Sequence, residues 1–202
     1  MNPISKMPVR GLLAALLLVG AAEANAHRVQ KNDFQNVDIS TAKCCQDFGL
    51  TDHTGKRRSV ADFRDKVVVL VFGFTNCPDI CPTAMADMAK LVRKLGPQGS
   101  RVQVLFLTLD PDRDTPDVLA KYLASFDRRF LGLRGSPTEV AQTARDFRVF
   151  FKRESGPVPE SYVVDHTTGS YVFDRKGKAR LFVSHGKPER LVTDIRTLIG
   201  EP

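Results

Sequence analysis

Residues 66–82 read KVVVLVFGFTNCPDICP, and this stretch decides the fold. Positions 66–74 are apolar and rich in β-branched residues after the opening lysine, the mark of a central strand covered on both faces. The segment then turns polar and proline-rich, so Cys77 and Cys81 fall where a strand hands over to a helix. Across 79–95, apolar residues recur at Ile80, Ala84, Met85, Met88, Leu91, Val92 and Leu95, a helical stripe that stops at Gly96-Pro97. Residues 102–109 (VQVLFLTL) form a second apolar strand. Strand, helix and strand make a β-α-β unit, which predicts two parallel strands joined by a right-handed crossover.

Working outward, Thr115 caps a helix that begins at Pro116 and turns Val118, Leu119, Tyr122 and Phe126 inward. Ser136-Pro137-Thr138-Glu139 is a capping box that opens another helix, running to about Phe147. Between these helices, 130–133 is a short strand. Upstream, 48–50 and the turn at 52–56 predict an N-terminal hairpin. Downstream, a Gly/Pro loop at 155–159 precedes strands at 162–164, 171–173 and 179–183, the last two joined by the turn 174–177, and a final helix at 188–198. The reading is an α/β domain.

The chain has 202 residues, enough for one domain with a full core. Its start reads as an export signal: Lys6 and Arg10, an apolar run at 11–22, then the small-x-small pattern Ala24-Asn25-Ala26. The run is shorter than the roughly 18 to 20 residues of a membrane-spanning helix, which favours cleavage over an inner-membrane anchor. The expected organisation is a signal peptide at 1–26, a mobile leader at 27–43 and the domain at 44–202, in a periplasmic location. The net charge of +7 is spread in pairs and triples such as Lys56-Arg57-Arg58, without the basic stripe of a nucleic-acid binder. A solvated surface accounts for these cations; steering toward an acidic partner or a membrane surface is the sharper alternative. A monomer is expected.

Four cysteines are too few for a disulfide-stapled scaffold. Cys77 and Cys81 are four apart on a helical turn, so their sulfurs can share a metal or close a disulfide. The amino terminus of the helix carries partial positive charge, which is expected to favour thiolates there. A structural disulfide or two buried thiols is the plainer alternative.

The words around the pair are more specific than its spacing. Residues 72–82 (FGFTNCPDICP), 109–116 (LDPDRDTP) and 164–167 (VDHT) resemble the successive motifs of the Sco/SenC family, a likeness that spans roughly 48–198. The resemblance implies a thioredoxin-like fold with a central mixed sheet flanked by helices. It also implies copper, as Cu(I) or Cu(II), held by Cys77, Cys81 and His166. The implied role is a copper chaperone for the binuclear copper centre of cytochrome c oxidase. Its partner is then the copper-accepting oxidase subunit or another copper chaperone. Thiol-disulfide exchange by the redox-active pair Cys77 and Cys81 is an associated activity.

The residues lend the third ligand some independent support. His166 is expected in a loop between 164 and 171, which in a thioredoxin-like fold faces the cysteine turn. Two soft thiolates suit Cu(I) and an imidazole keeps Cu(II) accessible, whereas zinc accepts the same atoms but wants a fourth ligand in a structural site. The rival function is a periplasmic thiol-disulfide oxidoreductase, with Cys77 attacking and Cys81 resolving. A copper or redox sensor is a third.

Other chemistry-bearing residues read more plainly. Cys44-Cys45 departs from the family pattern, as extra ligands, a resolving thiol or, more simply, small buried groups. Asp110, Asp112 and Asp114 mimic a calcium loop but lack its glycine and closing glutamate, so they read as an Asp/Pro turn, with Asp110 at the functional edge. His53 and His185 read as surface residues. His27 is a copper ligand only if it becomes the mature amino terminus.

Overall fold

The computed structural model describes residues 34–155, 162–186 and 188–202. The expected export signal, His27 and the first part of the leader lie outside the described residues. In chain order the strands and helices are β1 (Val37–Asp38), β2 (Leu50–Asp52), β3 (Arg57–Arg58), β4 (Val67–Gly73), α1 (Ile80–Lys94), β5 (Val102–Thr108), α2 (Pro116–Ala124), β6 (Leu131–Arg134), α3 (Pro137–Asp146), β7 (Phe151–Ser155), β8 (Tyr162–His166), β9 (Ser170–Phe173), β10 (Ala179–Val183) and α4 (Pro188–Gly200). Among the described residues, no helix is long and apolar enough to cross a membrane.

Among the described residues, eight strands form one mixed sheet in the order β1-β10-β9-β4-β5-β6-β2-β3. The β-α-β unit appears as expected, with β4 and β5 parallel from Val67↔Val102 to Gly73↔Thr108. All seven residues of each strand are buried, which is why neither shows alternation. Strand β6 continues the parallel set, while β9 runs antiparallel to β4.

Successive side chains on β4 point to opposite faces of the sheet. Under one face, α1 packs on α4, and Leu119 and Leu123 of α2 press against Gly132 of β6. On the other, Phe72 meets Phe147 at the end of α3 and Tyr171 of β9, with ring centroids 5.4 and 5.9 Å apart. Both caps read from the sequence are present: Thr115 Oγ1 accepts from the Val118 amide at 3.4 Å, and Ser136 and Glu139 exchange the two bonds of a capping box.

Three expectations differ. Residues 34–43, expected in the leader, join the sheet: β1 pairs with β10, and the Gln35 and Asn36 amides donate to the buried Asp194 carboxylate of α4 at 2.8 and 3.0 Å. The anchor is 158 residues away in sequence, so local composition holds no trace of it. Strand β7 was not anticipated. It pairs with β8 in a separate two-stranded ribbon, and four of its five residues are exposed, so no apolar pattern marks it. Finally, β8 extends through His166, which therefore ends a strand instead of occupying a loop.

The N-terminal hairpin turns on Asp52, which is 1 % exposed. Its carboxylate accepts from Thr54 N, Thr54 Oγ1, Lys56 N and Arg58 Nε at 2.8, 2.6, 3.1 and 2.8 Å. Burial alone would raise its pKa, but these donors outweigh it and hold the carboxyl at about 2, from 3.8. A depressed folded-state pKa stabilises above the unfolded pKa and is lost as pH falls through the folded value. Acid titration is therefore expected to remove about 2 kcal/mol between roughly pH 4 and 2, and this component should vanish from the denaturant-melt pH profile of Asp52→Asn.

Candidate metal centre

Strand β4 delivers the chain to the carboxyl edge of the sheet, where open α/β sheets bind their ligands. There the Cys77 amide donates to the Phe74 carbonyl at 3.3 Å, folding the loop back toward the strand. Asp79 precedes α1 without making a side-chain cap. The Cys77 sulfur fills that place instead, accepting from the Cys81 amide at 3.4 Å. Cys77 is half-buried, whereas Cys81 is 2 % exposed. Gly73 makes room for Cys81: a Cβ at this position would lie 2.8 Å from the Cys81 sulfur and 2.8 Å from the Phe106 ring.

The expectation that the helix terminus would favour thiolates fails at Cys81. Burial pushes its thiol up to about 12, and the neighbouring Cys77 and the charge of Asp114 add to the rise. Desolvation of the charged form outweighs the hydrogen bond from the Phe74 backbone, which favours the thiolate. A soft metal ion would take the place of that proton.

His166 comes to the same edge from β8. Its Nε2 lies 3.8 Å from the Cys81 sulfur, and its ring stands edge-on to Phe74. Its Nδ1 is 2.9 Å from the Thr167 carbonyl oxygen. A carbonyl only accepts, so this contact assigns the hydrogen to Nδ1, and in the neutral ring Nε2 is then the nitrogen free to bind a metal on the Cys81 side. An ion about 2.3 Å from sulfur and about 2.0 Å from nitrogen, with about 120° between the bonds, separates its donors by about 3.7 Å. The Cys81–His166 spacing fits that requirement without rearrangement. Among the described residues, no three Cys, His, Asp or Glu side chains already enclose such a point, so Cys77 must turn inward to complete a three-donor site.

The ribbon that carries His166 is fastened by the loop after β5. Asp110 is fully buried and accepts from the Tyr162 hydroxyl at 2.7 Å and from Arg113 Nε. Arg113 lies 3.6 Å above the Tyr162 ring centroid and donates to the Tyr162 carbonyl at 3.0 Å, while Arg153 of β7 bridges to Asp112 at 2.5 Å. Asp114 turns the other way, toward the cysteine loop. It accepts from Thr75 N at 3.1 Å, Thr75 Oγ1 at 2.5 Å and Thr108 Oγ1 at 2.5 Å. Burial raises the Asp114 pKa despite these donors. Asp110 and Asp112 thus fasten the β7–β8 ribbon together, with Arg153 reaching both, while Asp114 alone holds the cysteine loop.

Sequence reasoning placed Asp110 at the functional edge but missed the roles of Asp114, Arg113, Tyr162 and Tyr122. The buried Tyr122 hydroxyl has no hydrogen-bond partner among the described residues, and burial, then the charges of Cys81, Cys77 and Asp114, raise its pKa. Its helical stripe signalled burial, but nothing in the stripe signalled proximity to the thiols. Of the other histidines, His53 is structural, accepting from the Gly132 amide at 3.0 Å. His185 is half-buried, and burial lowers its pKa. Cys44 and Cys45 lie near Tyr171, which packs on Phe72, whereas Cys81 packs against the neighbouring Gly73, whose side chain position faces the other side of the sheet.

A mixed sheet with a dithiol at the head of its first helix, and an imidazole brought over it from a later strand, defines a thioredoxin-like protein with a thiol and imidazole site. The SCO1/SenC family model matches residues 37–200. The chain belongs to the SCO1/SenC family. It is 40% identical over 150 residues to the mitochondrial SCO2 homolog of Bos taurus, covering 73% of this chain and 56% of that protein, so it spans little more than half of that relative's length. Apo Sco1 of Thermus thermophilus superposes with a TM-score of 0.72 at 38% identity, over 82% of this chain and 96% of that one. Copper-bound ScoI of Bradyrhizobium japonicum superposes with a TM-score of 0.67 at 35% identity, over 75% and 97%.

Proposed function

We propose that this chain binds one copper ion through Cys77, Cys81 and His166 and passes it to the binuclear copper centre of cytochrome c oxidase. The observation that carries the reading is the His166 Nε2 atom 3.8 Å from the Cys81 sulfur, at the sheet edge beside Cys77. A relative with copper bound, 35% identical over most of this chain, supports the choice of metal. Two sulfurs and one nitrogen leave copper with an open position, through which a donor from the oxidase subunit or a second copper chaperone can enter before the first bonds break. The Asp110 and Asp114 attachments hold the ribbon and the cysteine loop at one sheet edge, so that only Cys77 has to move to complete the donor set. Export to the periplasm, by way of the signal at 1–26, places the site where such an acceptor is reached.

Titration of the fully reduced protein with Cu(I) tests the reading. One equivalent is expected to bind, and X-ray absorption should show two sulfur donors and one nitrogen. A sulfur-only shell, or binding that needs more than one chain, would overturn it.

One observation favours the second reading, thiol-disulfide exchange. Cys77 is half-exposed and accepts a hydrogen bond from the helix amide, while Cys81 is buried behind it, the asymmetry of an attacking and a resolving thiol.

A further inference from the structure

We propose that Cys44 and Cys45 are a second redox site, a vicinal dithiol that closes to an intrachain disulfide by exchange with a small linear disulfide such as oxidised glutathione. Neighbouring side chains in extended backbone point to opposite sides, so adjacent cysteines do not ordinarily meet. Here Cys45 has φ of 64°, in the left-handed region that residues with a Cβ adopt only at a cost. The consequence is that both sulfurs reach the same side, 2.6 Å apart.

The surrounding fold holds the turn. The Cys45 amide donates to the Asp146 carbonyl at the end of α3 at 3.2 Å, and Gln46 Nε2 donates to the Cys44 carbonyl at 2.8 Å. Cys45 is 2 % exposed and Cys44 is half-buried, so an external disulfide reaches Cys44 first and Cys45 is left to close the ring. Burial and the neighbouring Cys44 keep the Cys45 thiol at about 12, with Arg148 opposing the rise. Cys45 therefore enters the reaction protonated.

The exchange balances in two steps. The Cys44 thiolate attacks one sulfur of glutathione disulfide, forming a mixed disulfide and releasing one glutathione thiolate. Cys45 gives its proton to that thiolate and attacks the Cys44 sulfur, breaking the mixed disulfide and releasing the second glutathione. The pair loses two electrons and its two thiol protons, and one glutathione disulfide becomes two thiols. Because Cys81 lies against the opposite face of the sheet, this reaction is independent of the redox state of the copper site.

The unmodified chain provides the test, because trypsin cuts after Lys43 and Lys56 and after Lys66 and Lys90, separating the two cysteine pairs into peptides 44–56 and 67–90. The reduced protein is incubated with oxidised glutathione, alkylated, digested and weighed. Peptide 44–56 is expected to escape alkylation at both cysteines and to lose about 2 Da, the two hydrogens given up in forming the bond. The same result is expected whether or not Cu(I) has first been bound. Recovery of 44–56 doubly alkylated, carrying glutathione without closure, or cross-linked to another peptide overturns the proposal.

Discussion

Replacing His166 with alanine is expected to weaken Cu(I) binding by more than about 100-fold while leaving the rate of disulfide exchange at Cys77 and Cys81 nearly unchanged. Loss of a group that merely orients a metal-bound histidine costs about 10- to 100-fold in affinity, so removing the donor itself should exceed that range. Exchange needs only the two sulfurs, and His166 contributes neither. Competition with a Cu(I) chelator and a thiol-exchange assay, run on one preparation, measure both quantities. Unchanged copper affinity would leave Cys77 and Cys81 as an ordinary dithiol and remove the basis for copper transfer. A parallel fall in exchange would show that the imidazole acts on the thiols themselves.

The second large effect is expected from Asp114→Ala. Its carboxylate gathers Thr75 N, Thr75 Oγ1 and Thr108 Oγ1, tying the end of β5 to the loop that presents Cys77. Truncation leaves the buried Thr108 hydroxyl and the two half-buried Thr75 donors without this acceptor, each buried donor being worth roughly 1 to 3 kcal/mol, though not additively. A loss of roughly 2 to 4 kcal/mol is expected, read as a lower denaturation midpoint at unchanged slope. Asp114→Asn keeps one carbonyl oxygen and should recover part of that loss, because the threonine hydroxyls can rotate to meet its amide. Copper affinity should fall in Ala more than in Asn, since the loop that must turn Cys77 inward loses its anchor. Equal stability of the two variants with the native chain would show that the Thr75 and Thr108 bonds contribute nothing.

The segments that were legible in the sequence share one physical property. In β4 and β5 every residue is buried, so each position demands an apolar side chain and the run stands out. The helices α1, α2 and α3 were legible because a half-buried helix needs an apolar stripe at helical spacing, and two of them also carry capping residues. Strand β7 imposes no such demand, and its Lys-Arg-Glu-Ser run conceals it. The ends of β8 and the attachment of residues 35 and 36 to Asp194 depend on partners distant in the chain. Asp110, Asp112 and Asp114 look alike in a line of text, yet the first two fasten the His166 ribbon through Tyr162 and Arg153 and the third secures the cysteine loop.

The order of apolar runs, stripes and caps, read alone, determined an α/β domain with a dithiol at the head of a helix, and the motif words singled out His166. Periodicity reports which side of an element is hidden from water, and that much is local. Which side chains meet is set by strand order and crossovers that join distant segments, and only the tertiary structure decided it. It brought the His166 nitrogen to Cys81, buried that thiol deeply enough to reverse the expected effect of the helix terminus, and placed the other cysteine pair on the far side of the sheet.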